Sequence, residues 1–89
     1  MDDLPDSERR VLRNYGLPDS RLKDTPRQLK KKLIIYRHLA AQFEPGRHYP
    51  EHEVNAILSR YHDDYASLRR DLVELGFMAR AAGEYWRRG

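Results

Sequence analysis

The sequence predicts a mainly α fold of the α+β class: a winged helix-turn-helix with an extra N-terminal helix and a short C-terminal β-hairpin wing. Three observations within residues 53–86 predict it: an apolar stripe at helical spacing, a glycine that ends that helix (Gly76), and two short segments joined by Ala82-Gly83. The stripe consists of Tyr65, Leu68, Leu72 and Leu75. Because these residues are spaced three, four and three apart, they share one helical face. We expect that face to be buried and the opposite face to stay in water.

Length and composition predict one small soluble domain. The chain has 89 residues, of which 39% are hydrophobic and none is cysteine. A domain of this size buries roughly 60% of its extended surface, and without cysteine it has no disulfide or thiolate metal site. No apolar run is as long as a membrane span, and the start MDDLPDSE lacks the basic and apolar segments of a signal peptide. We therefore expect a cytoplasmic protein with no membrane partner.

The charge is unevenly distributed along the chain. The net charge is +3, but residues 1–8 hold four acids and no base, so all 17 Lys and Arg residues lie downstream. A polyanionic partner is consistent with this distribution. Many small soluble domains of similar basicity bind no nucleic acid, so charge alone does not identify the partner.

The N-terminal part is predicted as two segments ahead of the main domain. Residues 1–6 are acidic, which predicts a flexible terminus. Residues 7–26 are predicted to form a short helix and a connector, with Ser7 as the N-cap and an end near Tyr15. A helix this short needs tertiary contacts, which we expect Leu12 and Tyr15 to supply.

The predicted winged-helix domain, residues 27–89, opens with the longest helix of the chain. An extended stretch at 21–23 precedes it. Thr25 is predicted as its N-cap, with Pro26 at the first helical position and Gln28 completing a capping box. The predicted core face carries Leu29, Leu33, Ile35, Tyr36, Leu39, Ala40 and Phe43. The predicted solvent face is a basic strip of Arg27, Lys30, Lys31, Lys32 and Arg37.

The middle of the chain is predicted to supply one strand and the first helix of the helix-turn-helix. Tyr49 precedes a proline and is predicted to be extended and to pair with the wing. Pro50 then starts a helix whose buried stripe is Val54, Ile57, Leu58 and Tyr61. Asp63 or Asp64 is predicted to cap the next helix. In the wing, Tyr85-Trp86 is expected to seal the core rather than to stack on bases.

A specific set of residues runs through the chain from the end of the longest helix: Phe43, Pro45-Gly46, Tyr49, Glu53-Val54-Asn55, Leu58, His62, Asp64, Leu68-Arg69-Arg70, Leu72-Val73, Gly76, Arg80 and Tyr85-Trp86. With its upstream helix, this segment of residues 21–87 resembles the uncharacterised family called domain of unknown function twenty eighty-seven. Pro50 departs from that family, where a threonine is common. Members occur alone or attached to ArsR-type winged-helix transcription regulators, so the resemblance implies a DNA-binding or regulator-associated role and no established activity.

Double-stranded DNA is the partner that this fold class favours. On the predicted reader helix, Ser67 and Arg70 lie opposite the leucine face and Arg69 flanks it, and an arginine in such a position pairs with guanine or phosphate. Phosphate contacts are predicted for Lys30, Lys31, Lys32, Arg80, Arg87 and Arg88. We expect no cofactor, no small-molecule substrate and no catalysis.

A protein-docking or homodimerisation module is the alternative. The reader helix and the turn before it hold four acids against Arg69 and Arg70, a balance that suits a protein partner at least as well as a phosphate backbone. The amphipathic segment 7–15 is a candidate arm for such pairing. One of the two arginines is also a candidate for an internal clamp, bonded to Asp63, Glu53 or another acid so that it holds two helices together. For the lysines, a solvated helix face is the structural alternative.

The histidines are weak candidates for catalysis or metal binding. His48 and His52 are four residues apart, but Pro50 between them breaks the helix that a metal site on one face requires. His62 lies beside two aspartates, but no serine or cysteine nucleophile accompanies it. We expect His62 to donate a hydrogen bond to a neighbouring carbonyl or acid, and Asn55 to bond the backbone at the same turn.

Overall fold

The computed structural model describes residues 5–17 and 21–88. These residues form four helices and one small three-stranded antiparallel sheet, an α+β architecture as predicted. The elements in chain order are α1 (Asp6–Asn14), α2 (Leu29–Ala40), β1 (His48–Pro50), α3 (Glu51–Leu58), α4 (Tyr65–Glu74), β2 (Met78–Ala81) and β3 (Glu84–Arg87). Most of the predicted flexible terminus (residues 1–4) and part of the predicted connector (residues 18–20) lie outside the described residues, as does residue 89.

The sheet confirms the predicted hairpin and the predicted single strand. β3 is the central strand and pairs antiparallel with β1 on one side and β2 on the other. Tyr49 in β1 lies opposite Tyr85, as the prediction that it pairs with the hairpin requires. The β2–β3 turn places Ala82 at φ 52° and Gly83 at φ 80°. Positive φ at both central residues is what a two-residue hairpin turn needs to match the strand twist.

The core is apolar and receives side chains from every helix and every strand of the described residues. Representative buried residues are Leu12, Tyr36, Tyr49, Leu58, Leu72, Met78 and Tyr85. Leu68 and Leu72 have no exposed surface, and Leu75 packs half-buried against the same cluster, which confirms the predicted leucine face. Tyr65 was wrongly placed on that face, because it is 37% exposed. As the first residue of α4, it lies ahead of the turn that contacts the core.

Local hydrogen bonds set both ends of α4. Asp64 is the N-cap, and its Oδ1 accepts from the backbone N–H of Ser67 at 3.3 Å. At the other end Gly76 adopts φ 84°, and the N–H of Phe77 donates to the carbonyl of Leu72 at 2.9 Å. This is the glycine-terminated helix end that the sequence predicts. The orientation of α4 therefore follows from its own caps as well as from its buried leucines.

α1 packs on α2 and adds its apolar side to the common core. Its N-cap is Pro5, whose carbonyl accepts from the N–H of Glu8 at 3.0 Å, and no side chain caps this end. The prediction of Ser7 as cap was therefore wrong, because the helix begins one residue before it. Leu12 is buried and Tyr15 is half-buried against the core, as predicted.

Residues 21–23, for which the sequence predicts an extended stretch against the domain, are hydrogen-bonded to it. The N–H of Leu22 donates to the carbonyl of Tyr61 at 2.8 Å, and that of Lys23 donates to the carbonyl of Tyr15 at 3.0 Å. Leu17 and Leu22 are 2% and 4% exposed. This stretch therefore contributes to the core as well as connecting two helices.

The predicted start of α2 was wrong by three residues. α2 begins at Leu29 with Gln28 as N-cap and without a side-chain cap. The N–H of Thr25 donates instead to Asp24 Oδ1 at 2.8 Å, because a short carboxylate offers the backbone a local turn in competition with the helix. Leu29 and Leu33 were assigned to the core face, yet they are 60% and 38% exposed. The first turns of α2 thus extend past the core.

α3 follows Pro50 directly, with Pro50 as the N-cap rather than the first helical residue. Its stripe is buried at Val54 and Leu58, as predicted. In the turn after α3, His62 Nδ1 accepts a hydrogen bond from the N–H of Asp64 at 3.0 Å. The expectation that His62 donates was therefore wrong. The described residues contain no helix long and apolar enough to cross a membrane.

Candidate nucleic-acid interface

An open groove lies between the outward face of α4 and the β2–β3 hairpin, and it is called here the α4–hairpin groove. Its lining residues are Ala66, Arg69, Arg70, Val73, Glu74, Arg80 and Tyr85. α4 contributes successive turns of its outer face, and the hairpin contributes one side chain from each strand. Three arginines and one acid therefore line the same concave surface.

Arg70 and Arg80 are the exposed cations of this groove. Arg70 makes no hydrogen bond or ion pair with any other described residue. Arg80 lies opposite Tyr85 in the β2–β3 register, and its guanidinium carbon is 5.8 Å from the centroid of the Tyr85 ring. A cation at that distance from an aromatic face gains a weak attraction and keeps its donors available. Both guanidinium groups can therefore donate to an external acceptor.

Arg69 is an internal clamp, the role proposed for one of the two neighbouring arginines. Its Nη1 donates to Asn55 Oδ1, and its Nε lies 3.7 Å from Glu51 Oε1. The same Glu51 oxygen accepts from the hydroxyl of Tyr85 at 3.1 Å. The side chain of Arg69 is only 21% exposed, so it joins α4 to α3 and to β3. Asn55 thus bonds a side chain across the helix pair, and the expectation that it bonds the backbone was wrong.

Ser67 belongs to the N-terminal cap of α4. Its hydroxyl donates to Asp64 Oδ2 at 2.8 Å, and its backbone N–H donates to the other carboxylate oxygen. These hydrogen bonds, the side-chain one first, lower the pKa of the Asp64 carboxyl. The hydroxyl proton of Ser67 is therefore used in a hydrogen bond within the protein.

The acids of α4 and its preceding turn do not line the groove, with one exception. Asp63 forms an ion pair with Arg21 at 2.7 Å, which lowers the pKa of its carboxyl. Asp71 accepts from the hydroxyl of Tyr36 at 2.7 Å, and burial together with this hydrogen bond raises the pKa of Tyr36. Since Asp64 is the helix cap, Glu74 is the one acid among the described lining residues. The acidic balance counted along the sequence does not describe the face that α4 exposes.

The other predicted phosphate-binding residues lie elsewhere. Lys30 and Lys31 line a separate groove between α1 and α2, and Lys32 is half-buried on α2. Arg87 Nη1 donates to the carbonyl of Phe43 at 3.2 Å. Arg88 is exposed just after the hairpin, where its N–H donates to the carbonyl of Phe77 at 2.9 Å. The α4–hairpin groove thus brings together Arg69, Arg70 and Arg80, and its lining excludes the other six predicted residues.

One contact was not anticipated from the sequence. The rings of His48 and Trp86 stack with centroids 4.5 Å apart and planes 11° apart, and His48 Nδ1 lies 3.3 Å from Glu84 Oε1. The signal was the strand register, which places His48 opposite Trp86 and is not readable from local spacing. Tyr85 is buried, as expected for a residue that seals the core. Across residues 5–17 and 21–88, no group of three or more His, Asp or Glu side chains could hold a metal ion.

Comparison with known proteins identifies a family and no individual relative. The profile of one family, described as "Uncharacterized protein conserved in bacteria (DUF2087)", matches residues 21–87. Comparisons with curated proteins and with solved structures found no match. The matched segment contains α2 through β3 and both walls of the α4–hairpin groove, whereas α1 precedes it. The chain belongs to the DUF2087 family.

Proposed function

We propose that the protein is a non-catalytic winged helix-turn-helix domain that binds double-stranded DNA through α4 and the β2–β3 hairpin. The order α2, β1, α3, α4, β2, β3 and the pairing of β1 with the hairpin support this fold assignment. A helix held on a small core, with its outer face free, is the arrangement that enters a major groove. In this proposal α4 is the reader helix and the hairpin is the wing.

The observation that carries the proposal is a pair of cations in one groove that form no ion pair with any other described residue. Arg70 extends from the middle of α4 and Arg80 from the facing strand, and neither forms an ion pair with a described residue. A guanidinium whose N–H groups make no internal hydrogen bond can donate to phosphate oxygens or to the O6 and N7 atoms of guanine. Arg70 is assigned to base or phosphate contact, and Arg80 to phosphate contact from the wing.

The remaining predicted residues take different roles in this proposal. Arg69 and Ser67 are positioning residues, since the first joins α4 to α3 and the second completes the N-terminal cap. Arg88 lies beyond the end of the wing and is available for phosphate contact. Lys30, Lys31 and Lys32 contribute to the positive field of the protein and are not assigned a direct contact in the groove.

Fluorescence anisotropy with a labelled 20-base-pair duplex of mixed sequence, at about 50 mM salt, tests the proposal. We expect Arg70→Glu and Arg80→Glu each to weaken duplex binding at least about tenfold, because each change replaces a phosphate donor with a repelling charge. Arg60→Glu is the matched control, since Arg60 is exposed and lines a different cleft beside Glu53. Equal losses in all three variants, or no binding by the wild type, would contradict the proposal.

Docking to a protein partner remains the second candidate function, and a specific observation favours it. Leu29 and Leu33 are exposed on α2 although they are large aliphatic residues. If the α4–hairpin groove binds a protein and not DNA, the wild type should not bind the duplex even at low salt. Docking through α2 is compatible with DNA binding, because the two surfaces are separate.

A further inference from the structure

A second groove lies between α1 and α2, called here the α1–α2 groove. It has a volume of about 500 Å³ and is lined by Ser7, Glu8, Val11, Gln28, Lys30, Lys31, Leu33, Ile34 and Arg37. Val11, Leu33 and Ile34 form its apolar floor. None of its lining residues lines the α4–hairpin groove.

Two of the exposed large hydrophobic residues of the described chain lie on α2, and one of them, Leu33, lines this groove. Among the described residues, three large hydrophobic side chains are exposed: Leu29 at 60%, Leu33 at 38% and Tyr65 at 37%. Leu29 and Leu33 are four residues apart on α2, so they lie one above the other on the same face. Leu29 is not a lining residue of the groove and lies one helical turn before Leu33, beside the apolar floor. A contiguous apolar patch bordered by polar residues is typical of a surface that another molecule covers.

The charges around this floor are positive and available. Glu8 is the one acid among the described lining residues, and it is engaged in an ion pair with Arg37. Lys30 and Lys31 form no ion pair with any other described residue. A ligand on the floor therefore meets two ammonium groups of α2 that no other described residue neutralises.

This charge distribution distinguishes among occupants of the groove. In a symmetric pair of two copies the same patch is used twice, so the interface gathers Lys30 and Lys31 of both copies and no acid among the described lining residues except Glu8, which is already paired with Arg37. Like charges placed together in this way oppose association. An α-helix with leucine-type residues on one face and acids on its flanks complements both the apolar floor and the two lysines.

We propose that the α1–α2 groove binds an acidic amphipathic helix of a partner protein. The apolar face of that helix covers Leu29, Leu33 and Val11, and its acids pair with Lys30 and Lys31. One wall of the groove, α1, precedes the segment that matches the family. This docking site therefore depends on the N-terminal helix and does not depend on the DNA-binding function proposed above.

The test uses a designed peptide as probe and the full chain as receptor. The probe is a fluorescein-labelled 18-residue helix with leucines at positions i, i+4, i+7 and i+11 and glutamates on both flanks. Two matched peptides accompany it: one with lysine in place of every glutamate, and one of the same composition with the leucines distributed around the helix. Fluorescence anisotropy at about 50 mM salt should show that the acidic probe binds at least about tenfold more tightly than either matched peptide.

Variants of the chain then locate the binding site. Leu29→Glu is expected to weaken binding of the acidic probe at least about tenfold, and because Leu29 is already exposed the folded state should persist, as circular dichroism will verify. The double variant Lys30→Glu/Lys31→Glu should produce a similar loss. The matched control Lys23→Glu/Arg60→Glu carries the same charge change on exposed residues outside the groove, and it should lose clearly less affinity.

Several results would overturn this proposal. They are equal binding of the three peptides, unchanged binding by Leu29→Glu, and an equal loss in the control double variant. A dimer in sedimentation velocity that Leu29→Glu dissociates would assign the face to a second copy of the chain. If Lys30→Glu/Lys31→Glu weakens duplex binding as much as Arg70→Glu does, these lysines serve a nucleic acid instead, and the proposal is also wrong.

Discussion

The α4–hairpin groove and the α1–α2 groove differ in what surrounds their cations. In the first, Arg70 and Arg80 lie beside Val73 and Tyr85, which also line the groove and are half-buried and buried. In the second, Lys30 and Lys31 border aliphatic residues that remain exposed. Guanidinium groups beside apolar residues that are already buried suit a polar phosphate backbone, whereas ammonium groups beside exposed leucines suit an amphipathic helix. One small basic domain thus presents two surfaces with different chemistry, although its net charge suggests a single one.

The largest expected effect is the difference in unfolding free energy between truncating a buried leucine of α4 and truncating an exposed leucine of α2. Leu72 has no exposed surface, whereas Leu29 is 60% exposed. Leu72→Ala should lower the free energy of unfolding by about 2–5 kcal/mol, because it removes buried methyl groups and leaves a cavity. Leu29→Ala should change it by less than about 0.5 kcal/mol. Urea unfolding followed by circular dichroism measures both, and equal costs would show that the assignment of the two faces is wrong.

A smaller difference in unfolding free energy is expected between variants of the two neighbouring arginines of α4. Arg69→Ala should lower the free energy of unfolding by about 1–3 kcal/mol, because it leaves the hydrogen-bonding groups of Asn55 and Glu51 without their partner. Arg70→Ala should alter that free energy by less than about 0.5 kcal/mol, since it has no such partner. Urea unfolding of both variants provides the comparison. A stable Arg69→Ala protein would contradict the clamp.

The α1–α2 side of the molecule should show a pH dependence that arises from His38. This half-buried side chain borders α1, and burial lowers the pKa of its imidazole. A lowered pKa in the folded state means that the unfolded chain takes up the proton first, so stability falls as pH drops below about 6.5 and levels off below the folded-state pKa. His38→Gln should remove this slope in urea midpoints between pH 7 and pH 5. His52→Gln, which changes an exposed histidine, should retain the slope.

The smallest expected effect concerns the cap of α4. Because hydrogen bonds from Ser67 lower the pKa of Asp64, its contribution to stability is present above the pKa of an unfolded aspartate and is lost as pH falls through the lower folded value. The difference in urea midpoint between wild type and Asp64→Asn should therefore shrink between pH 5 and pH 2. The corresponding difference for Asp63→Asn should also shrink in high salt at neutral pH, because its partner is an exposed arginine. A difference for Asp64→Asn that does not shrink between pH 5 and pH 2 would contradict the cap.

The elements that the sequence predicts well depend on local patterns. The leucine face of α4, its aspartate cap and Gly76 follow from spacing and turn chemistry within a dozen residues. The Ala82-Gly83 hairpin is local in the same sense. Tyr49 as a strand residue was inferred from the proline after it and from the fold class. These predictions succeeded because nearby residues determine the backbone conformation there.

The predictions that failed depend on residues far apart in the chain or on local competition. Asp71 accepts a hydrogen bond from Tyr36, which is 35 residues away in the chain. No residue near Asp71 in the sequence indicates that its carboxylate has this internal partner. Leu29 and Leu33 fit the helical stripe, but the extent of the core decides their exposure. At the start of α2, a good capping pattern at Thr25 was displaced by a turn that Asp24 forms one residue earlier.

The salt dependence of duplex affinity tests the central claim most directly. For wild type and for Arg70→Ala/Arg80→Ala, the logarithm of the association constant is measured against the logarithm of salt concentration by fluorescence anisotropy. If both arginines contact phosphate, the double variant should have a slope that is shallower by about 1.8, since each phosphate contact contributes about 0.9. An identical slope in both proteins, or a wild type that does not bind duplex at low salt, would contradict the assignment of the α4–hairpin groove to DNA.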